Sequence, residues 1–487
     1  MSHISESQEN SPKAGSAPPP QDEKSAAEVE ALSPRAKSAL KIMFLTLFID
    51  LAGFSIIFPL FPSMLQHYQA TEAEGSLFML LYDALLRFST FAGAPDLHWG
   101  VLVLFGGALG SVYSLLQFFF APILGAWSDR VGRRPILLLA LGGLALSYLL
   151  WFFAGSFALL LIARVLGGMM SANISTASAV VADVTTQRTR SKGMAIIGMA
   201  FGLGFIFGPV IGGVSSLIDL TAHWPGLAAY GVNPFSMAAA VAFLLSIVNL
   251  LLVWRCFPET HQPGVTSERI ARPLNPVTLF QAPDYPGVRR TNTVYFLFLL
   301  AFSGMEFTLT FLAVERLGYT PRENALMFLF VGVVLAGMQG SYVRRRSGSI
   351  GPRRMAQHGL VTLIPGLLLL ALAGYTQMNS ILYSGLFLLA VGAAQAIPCL
   401  TALVSMYTPS HAQGSTLGIF RSLGALSRAL GPLFACLLYW RLGASTAYVI
   451  GAAFILVPLL IARRFPEIAE HNETGAVEDQ QPAEQRA

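Results

Sequence analysis

The sequence predicts an all-α polytopic membrane protein with twelve transmembrane helices in two pseudo-symmetric six-helix halves. Of its 487 residues, 54% are hydrophobic and only 12% are charged, whereas about 25% of the residues in a soluble protein are charged. Apolar segments of about twenty residues, the length that spans a bilayer, follow one another along the chain. The three cysteines lack CxxC spacing, so we expect neither a disulfide framework nor a metal site. We also expect no cofactor.

The predicted spans form two bundles of six. The spans are 41–63, 99–124, 135–153, 157–182, 192–216, 234–256, 292–315, 323–343, 355–375, 380–405, 413–439 and 444–464. The bundles cover residues 39–256 and 292–465, and a linker with several Pro and Arg residues, 257–291, joins them. The tails 1–38 and 466–487 are polar, and we expect both to be disordered.

The distribution of Lys and Arg predicts the orientation. If the N-terminus is cytoplasmic, nearly all near-membrane cations fall on the cytoplasmic side, and the exceptions are Arg87, Arg316, Arg322 and Arg441. Cytoplasmic loops carry the excess of Lys and Arg in membrane proteins. We therefore expect both termini to be cytoplasmic in a multi-pass protein of the cell membrane, the inner membrane if the source is bacterial.

The longest predicted loop on the other side of the membrane is 66–98. Its segment Leu77–Phe88 is amphipathic. Such a helix either lies along the membrane surface or packs against the bundle.

A charged, Gly-rich hairpin connects spans 2 and 3. It reads Gly125-Ala126-Trp127-Ser128-Asp129-Arg130-Val131-Gly132-Arg133-Arg134-Pro135, with Asp129 after the end of span 2 and the arginines before span 3. Asp183, near the same end of span 4, is a natural partner for one of these arginines. We expect such ion pairs to form when the cytoplasmic side is shut and to break when it opens. Positive-inside anchoring alone would explain the arginines, but not Asp129 and the glycines.

The two halves resemble each other in sequence. Gly208-Pro209 in span 5 matches Gly431-Pro432 in span 11. The hairpin is repeated at residues 340–354, which keep Gly351, Arg353 and Arg354 but have no acid in place of Asp129. Two similar halves around a central cleft are the usual architecture of a secondary transporter.

The hairpin resembles motif A of the major facilitator superfamily, and further stretches resemble its twelve-helix drug:proton antiporter branch. Those stretches are Asp50-x2-Gly53-x5-Pro59-x2-Pro62, Ala163-Arg164-Val165-Leu166-Gly167-Gly168 and Gly204-x3-Gly208-Pro209-x2-Gly212-Gly213. Residues 304–312 are similar to the tetracycline-transporter-like group. The resemblance covers about residues 40–465. It implies proton-coupled drug efflux, with the Arg164 position tied to proton movement, but it identifies no substrate.

Five charged side chains lie well inside the predicted spans: Asp50, Arg164, Glu306, Arg421 and Arg428. Each costs at least about 2.5–3.5 kcal/mol at the bilayer centre, so such groups face a cavity or a partner. Asp50 and Glu306, in the pseudo-equivalent spans 1 and 7, are candidate proton sites. The alternative for each is a fixed ion pair with an arginine. Arg164 either takes part in proton coupling or holds span 4 against span 1.

Arg421 and Arg428 are seven residues apart in span 11 and therefore share a helix face. They either pair with the buried acids or bind an anionic group of the substrate, and Arg421 could instead extend to the cytoplasmic interface. The neutral residues Gln117, Asn173 and Gln395 either contact substrate or bond to a neighbouring helix. In span 5, Gly204, Gly208, Gly212 and Gly213 allow close helix packing, and Pro209 can bend the helix.

These observations favour a transporter over an enzyme. The sequence has no GxxxxGK[ST] phosphate loop and no HExxH or GxSxG motif. We predict a proton-coupled antiporter that exports an amphipathic drug-like compound or an organic anion by alternating access. The alternatives are an uncoupled facilitator or importer of a small organic anion and, more remotely, a non-transporting receptor or scaffold. We expect it to interact with a small drug-like or anionic substrate, protons and membrane lipid, not with nucleic acid, and to be a monomer.

Overall fold

The computed structural model describes residues 34–93, 98–171, 173–185, 190–260, 285–409 and 413–467. Within these ranges, 12 helices are long and apolar enough to cross a membrane, which confirms the predicted fold class. The first half consists of Pro34–Ser55 (span 1), Trp99–Val131 (span 2), Arg133–Phe152 (span 3), Phe157–Met170 with Asn173–Val184 (span 4), Arg190–Ser215 (span 5) and Ser236–Cys256 (span 6). The second half consists of Val288–Leu317 (span 7), Pro321–Met338 (span 8), Pro352–Thr376 (span 9), Asn379–Met406 (span 10), Gln413–Leu442 (span 11) and Ala444–Arg463 (span 12).

Several shorter elements complete the fold. Span 1 is followed by a 3₁₀ turn, Phe58–Leu60, and the helix Phe61–Thr71, and span 8 continues through a π-helical turn, Gln339–Val343, into Arg344–Ile350. The remaining pieces are the amphipathic helix Leu77–Phe91, the single turn Leu220–His223 and the 3₁₀ helix Pro225–Tyr230. We call the face where spans 2 and 3 join the hairpin face, and the other side of the bundle the opposite face.

Some predicted boundaries require correction. The first helix begins at Pro34, so residues 34–38 are helical instead of belonging to the tail. The helix of span 7 begins at Val288, which shortens the predicted linker. The rest of that linker from residue 261 to 284, and residues 1–33 and 468–487 of the tails, lie outside the described residues.

The predicted hairpin of eleven residues is also wrong. Span 2 remains helical through Val131 and span 3 begins at Arg133, so the turn is the single residue Gly132, and Asp129 lies inside the last turn of span 2. Gly132 has a φ of 114°, which glycine adopts without strain. Gly351, with a φ of 81°, joins the end of span 8 to span 9 in the same way.

One close helix contact is repeated in both halves. In the first half, a Cβ on Gly208 would overlap Ser55 Oγ and the Ala52 carbonyl of span 1. In the second half, a Cβ on Gly431 would overlap Ser303 Oγ and the Leu300 carbonyl of span 7.

The hydrogen bonds at this contact repeat as well. Ser55 Oγ donates to the Gly204 carbonyl at 3.1 Å, and Ser303 Oγ donates to the Ser427 carbonyl at 3.2 Å. The packing of span 1 on span 5 is therefore repeated, at corresponding residues, by the packing of span 7 on span 11.

The two halves meet along spans 2 and 11 and along spans 5 and 8. A Cβ on Gly107 of span 2 would lie 2.6 Å from Cys436 Cβ of span 11, and a Cβ on Gly213 of span 5 would overlap that of Ala325 in span 8. On each side of the cleft, a glycine of the first half therefore packs directly against a helix of the second half.

We expect Gly212→Ala to destabilise the protein, because its Cβ would overlap the backbone carbonyl oxygen of Ile56, directly after span 1. Overpacking of this kind costs about 1–3 kcal/mol. Gly202→Ala is the matched control in the same span, since a Cβ there meets no heavy atom within 4 Å. Thermal unfolding of the purified variants in detergent measures the difference. Equal melting temperatures for the two variants would contradict the close contact.

Candidate functional site

A cavity of about 600 Å³ lies between the two halves. Most of its wall is apolar and comes from spans 5, 7, 8, 10 and 11. The charged residues in its lining are Glu306 of span 7 and Arg421 and Arg428 of span 11. A charged side chain in apolar surroundings is costly and marks a functional site. These three side chains are therefore the candidates for binding a substrate or a proton.

Glu306 and Arg428 are neighbours in the cavity wall. Arg428 is the charged group that acts on Glu306, and both residues also line a smaller void of about 30 Å³ next to the main cavity. The Arg428 guanidinium carbon lies 5.5 Å from the centre of the Phe205 ring of span 5. A cation held over an aromatic face at this distance is stabilised electrostatically.

The wall facing this pair is aromatic. The rings of Phe58 and Phe205 are 6.2 Å apart, and Phe54 lies 5.3 Å from Phe58 and 5.9 Å from Phe205. Glu306 follows Ser303 by three residues, as Phe58 follows Ser55, and Arg428 follows Ser427 by one residue, as Phe205 follows Gly204. The pseudo-symmetric counterparts of the two charged residues are therefore phenylalanines.

Arg421 lies further along the same face of span 11. Tyr295 of span 7 hydrogen-bonds to it and also lies close to Arg428. The Tyr295 ring stacks on Phe420 at 3.8 Å with an interplanar angle of 21°. This stack orients the phenol beside both guanidinium groups.

Asp50 and Arg164 lie in a separate polar cluster inside the first half. Asp50 is 6% exposed and faces Asn173 of span 4, while the Arg164 guanidinium carbon lies 4.3 Å from the Tyr113 ring centre. Neither residue belongs to the described cavity lining. In the described part of the chain, no ion pair joins them, and Asp50 Oδ1 and Arg164 Nε are buried without a hydrogen-bond partner.

The neutral polar candidates also lie away from the described cavity lining. Gln117 Nε2 donates to the Ser171 carbonyl of span 4 at 3.1 Å. Gln395 Nε2 donates to the Val391 carbonyl of its own helix at 3.1 Å. Asn173 is fully buried beside Asp50. The bond of Gln117 therefore connects span 2 to span 4, and the bond of Gln395 stabilises span 10.

At the hairpin face, Arg133 bonds to two acids. Its guanidinium forms ion pairs with Asp129 of span 2 and, from Nε to Oδ2 at 2.9 Å, with Asp183 of span 4. It also donates to Ser128 Oγ at 2.7 Å. We call Asp129, Arg133 and Asp183 the Arg133 cluster. The cluster joins spans 2, 3 and 4 within the first half.

Sequence reasoning missed Glu259, which lies after span 6. Its two carboxylate oxygens accept the backbone N–H groups of Arg133 and Arg134 at 2.9 and 3.0 Å. A carboxylate at a helix N-terminus satisfies otherwise unpaired donors. The signal was a repeat, since Phe-Pro-Glu follows span 6 at 257–259 and span 12 at 465–467.

Thr260 extends the same contact, because its Oγ1 lies 3.3 Å from Asp183 Oδ2. The start of the linker between the halves is thereby fixed to the Arg133 cluster.

Comparison with known proteins agrees with this architecture. A sequence model of the Major Facilitator Superfamily matches residues 43–432 and, separately, 350–480. Major facilitator superfamily domain-containing protein 10 of Bos taurus is 38% identical over 449 residues, covering 87% of this chain and 91% of that protein. The class B tetracycline resistance protein of Escherichia coli is 28% identical over 452 residues, covering 88% of this chain and 96% of that protein.

A solved structure is similar along nearly the whole described bundle. The crystal structure of the human organic anion transporter MFSD10 (TETRAN) superposes with a TM-score of 0.69 at 34% identity, covering 88% of this chain and 100% of that one. Together with the twelve spans and the cavity between two similar halves, these matches establish that the chain belongs to the Major Facilitator Superfamily of multi-pass membrane transporters, not to a family of enzymes.

Proposed function

We propose that this transporter is a proton-coupled antiporter that exports an amphipathic drug-like compound or an organic anion by alternating access. The observation that carries the proposal is that Glu306, Arg421 and Arg428 line one apolar cavity between the two halves. The cavity provides space for a substrate, the arginines provide fixed positive charge, and the carboxylate provides a group that can exchange a proton.

The cavity fits an amphipathic molecule of moderate size. Its volume of about 600 Å³ is in the range of small-molecule sites. Apolar walls bury the hydrophobic part of a ligand, and the guanidinium groups of Arg421 and Arg428 bind an anionic group. The human structure described as an organic anion transporter and the bacterial tetracycline resistance proteins are consistent with such substrates.

Proton coupling is assigned to Glu306 because it is the acid beside the substrate space. A carboxyl group in apolar surroundings can become neutral by binding a proton. A substrate that places a cationic or hydrogen-bond-donating group on the ionised Glu306 carboxylate would compete with that proton, and such competition produces exchange. Asp50 and Arg164, buried together with Asn173, are proposed as a second proton-coupling group in the first half.

The position of Glu306 next to Arg428 also favours a second candidate function, the import of an organic anion. Protonation of Glu306 removes the negative charge that acts on Arg428, so a proton and an anionic substrate would bind together, not in competition. Coupled entry of an anion and a proton is therefore the alternative to export. The direction of proton movement relative to the substrate distinguishes the two candidates.

We further propose that the hairpin face is cytoplasmic, with both termini on that side of the cell membrane. The Arg133 cluster then lies at the cytoplasmic end of the first half. Its ion pairs all lie within that half, and its other bonds reach only to the start of the linker. We therefore propose that it acts by tying span 4 to spans 2 and 3 during the movement of the halves.

Glu306→Gln is expected to abolish acceleration of transport by a pH gradient, because the amide cannot bind the proton. Tetracycline and fluorescein serve as probes in proteoliposomes, with substrate flux and lumenal pH recorded together. The variant's flux should fall to the level that the wild type shows without a gradient. Glu315→Gln is the matched control, since Glu315 bonds to Arg316 and Tyr439 at the far end of the same span and does not belong to the described cavity lining.

The direction of the pH change tests the two candidates. Acidification of the compartment that substrate leaves indicates exchange, and acidification of the compartment that substrate enters indicates cotransport. Gradient-driven transport that persists in Glu306→Gln would contradict the role of Glu306. Equal flux with and without a gradient in the wild type would contradict proton coupling.

Within the Arg133 cluster, Asp183→Asn is expected to cost more than Asp129→Asn. The Asp183 side chain is 22% exposed and that of Asp129 is 58% exposed. A shielded, charge-assisted bond contributes about 1.5–3 kcal/mol, whereas an exposed pair contributes about 0–1 kcal/mol. Thermal unfolding and transport rates of both variants measure this order. A larger loss in Asp129→Asn would contradict the dominance of the Arg133–Asp183 bond.

A further inference from the structure

The amphipathic helix Leu77–Phe91 is anchored on the first half but ends against the second half. Its buried Phe78 ring lies 5.0 Å from that of Phe105 in span 2 and 5.4 Å from that of Phe157 in span 4. Ser76 caps the helix by accepting the Met79 N–H at 3.3 Å. The helix is thus positioned by the first half at the opposite face.

The other end of this helix contacts span 11. Trp440 Nε1 donates to Ser89 Oγ, and both residues are buried. The Phe88 ring stacks on Trp440 at 5.6 Å with an interplanar angle of 19°. Arg441 Nη1 donates to the Gly93 carbonyl at 3.1 Å. We call this set the Trp440 contact.

The Trp440 contact adjoins the packing of span 2 against span 11. A Cβ on Gly100 would lie 3.2 Å from Trp440 Cδ1, and Gly107 packs directly against Cys436, one helical turn before Trp440. The cleft between the halves therefore cannot widen at this point unless Trp440 separates from Ser89. Separation leaves the indole N–H without its buried acceptor, which favours the closed arrangement.

The second half has no equivalent of this helix. Spans 7 and 8, the counterparts of spans 1 and 2, are joined only by residues 318–320. The helix at 77–91 is therefore an addition to the first half that reaches across to the second.

We propose that Ser89 and Trp440 are the gate residues of the opposite face, and that their hydrogen bond holds this face of the cavity shut. The proposal rests on the alternating-access part of the proposed function, but not on its substrate or its coupling ion. Ser89 and Trp440 do not belong to the described cavity lining. They are positioning residues that set how often the gate opens, not residues that bind the substrate.

The native Cys436 is the reporter for the test. It is completely buried against Gly107, so a thiol reagent can reach it only when spans 2 and 11 separate. The other two cysteines are removed in the background Cys256→Ser, Cys399→Ser. The rate of Cys436 alkylation by a membrane-impermeant maleimide is then measured on the full chain in nanodiscs.

Two conservative variants remove the bond from either side. Trp440→Phe keeps an aromatic ring against Phe88 but has no N–H donor, and Ser89→Ala removes the acceptor. Each is expected to raise the alkylation rate by roughly fivefold, the equivalent of one neutral hydrogen bond. The double variant should be no faster than either single one, because the two changes break the same bond.

Thr90→Ala is the matched control, because Thr90 Oγ1 donates only to its own helix, at the Leu86 carbonyl. It should leave the alkylation rate unchanged. Unchanged rates in Trp440→Phe and Ser89→Ala, or additive effects in the double variant, would overturn the proposal. Faster labelling in a protein whose transport ignores a pH gradient would support the gate and contradict proton coupling. Gradient-driven transport with unchanged labelling would contradict the gate and support proton coupling.

Discussion

The placement of Glu306 beside Arg428 in the cavity depends on one helix contact that occurs in both halves. Gly208 lies against the Ala52 carbonyl, and Gly431 lies against the Leu300 carbonyl. Backbones can approach this closely only where the intervening residue has no side chain. The first contact brings Phe205 next to Phe58, and the second brings Arg428 next to Glu306. The same packing thus produces an aromatic wall in one half and a charged wall in the other.

The two halves therefore carry different functional features. The charges that face the cavity belong to the second half, whereas the Arg133 cluster and the amphipathic helix 77–91 belong to the first. The hairpin repeat shows the same division. Gly132 is followed by a helix end that Glu259 caps, while Gly351 is followed by Pro352, which has no N–H to satisfy. We propose that the second half binds the charged group of the substrate, whereas the first half contributes the contacts that hold its helices together at the hairpin face and reach span 11 at the opposite face.

Much of this architecture could be predicted from the sequence. Apolar length gives the number of spans, the repeat of Gly208-Pro209 at Gly431-Pro432 gives the pseudo-symmetry, and the position of Glu306 in span 7 marks a polar site. Helical periodicity does not give the rotation of one helix against another, so it could not show that Asp50 faces Asn173 in a separate cluster. The charges and glycines of Gly125–Pro135 also predicted a hairpin of eleven residues, although only Gly132 departs from helical geometry in the structure.

The central claim is that the second half binds the charged group of the substrate. It is tested most directly by the structure of the protein with a bound organic anion such as fluorescein. We predict that the anionic group lies within hydrogen-bonding distance of Arg421 or Arg428, with the apolar part of the ligand against Phe205. An anion bound in the cavity with its charged group against the first half, away from both arginines, would contradict the account.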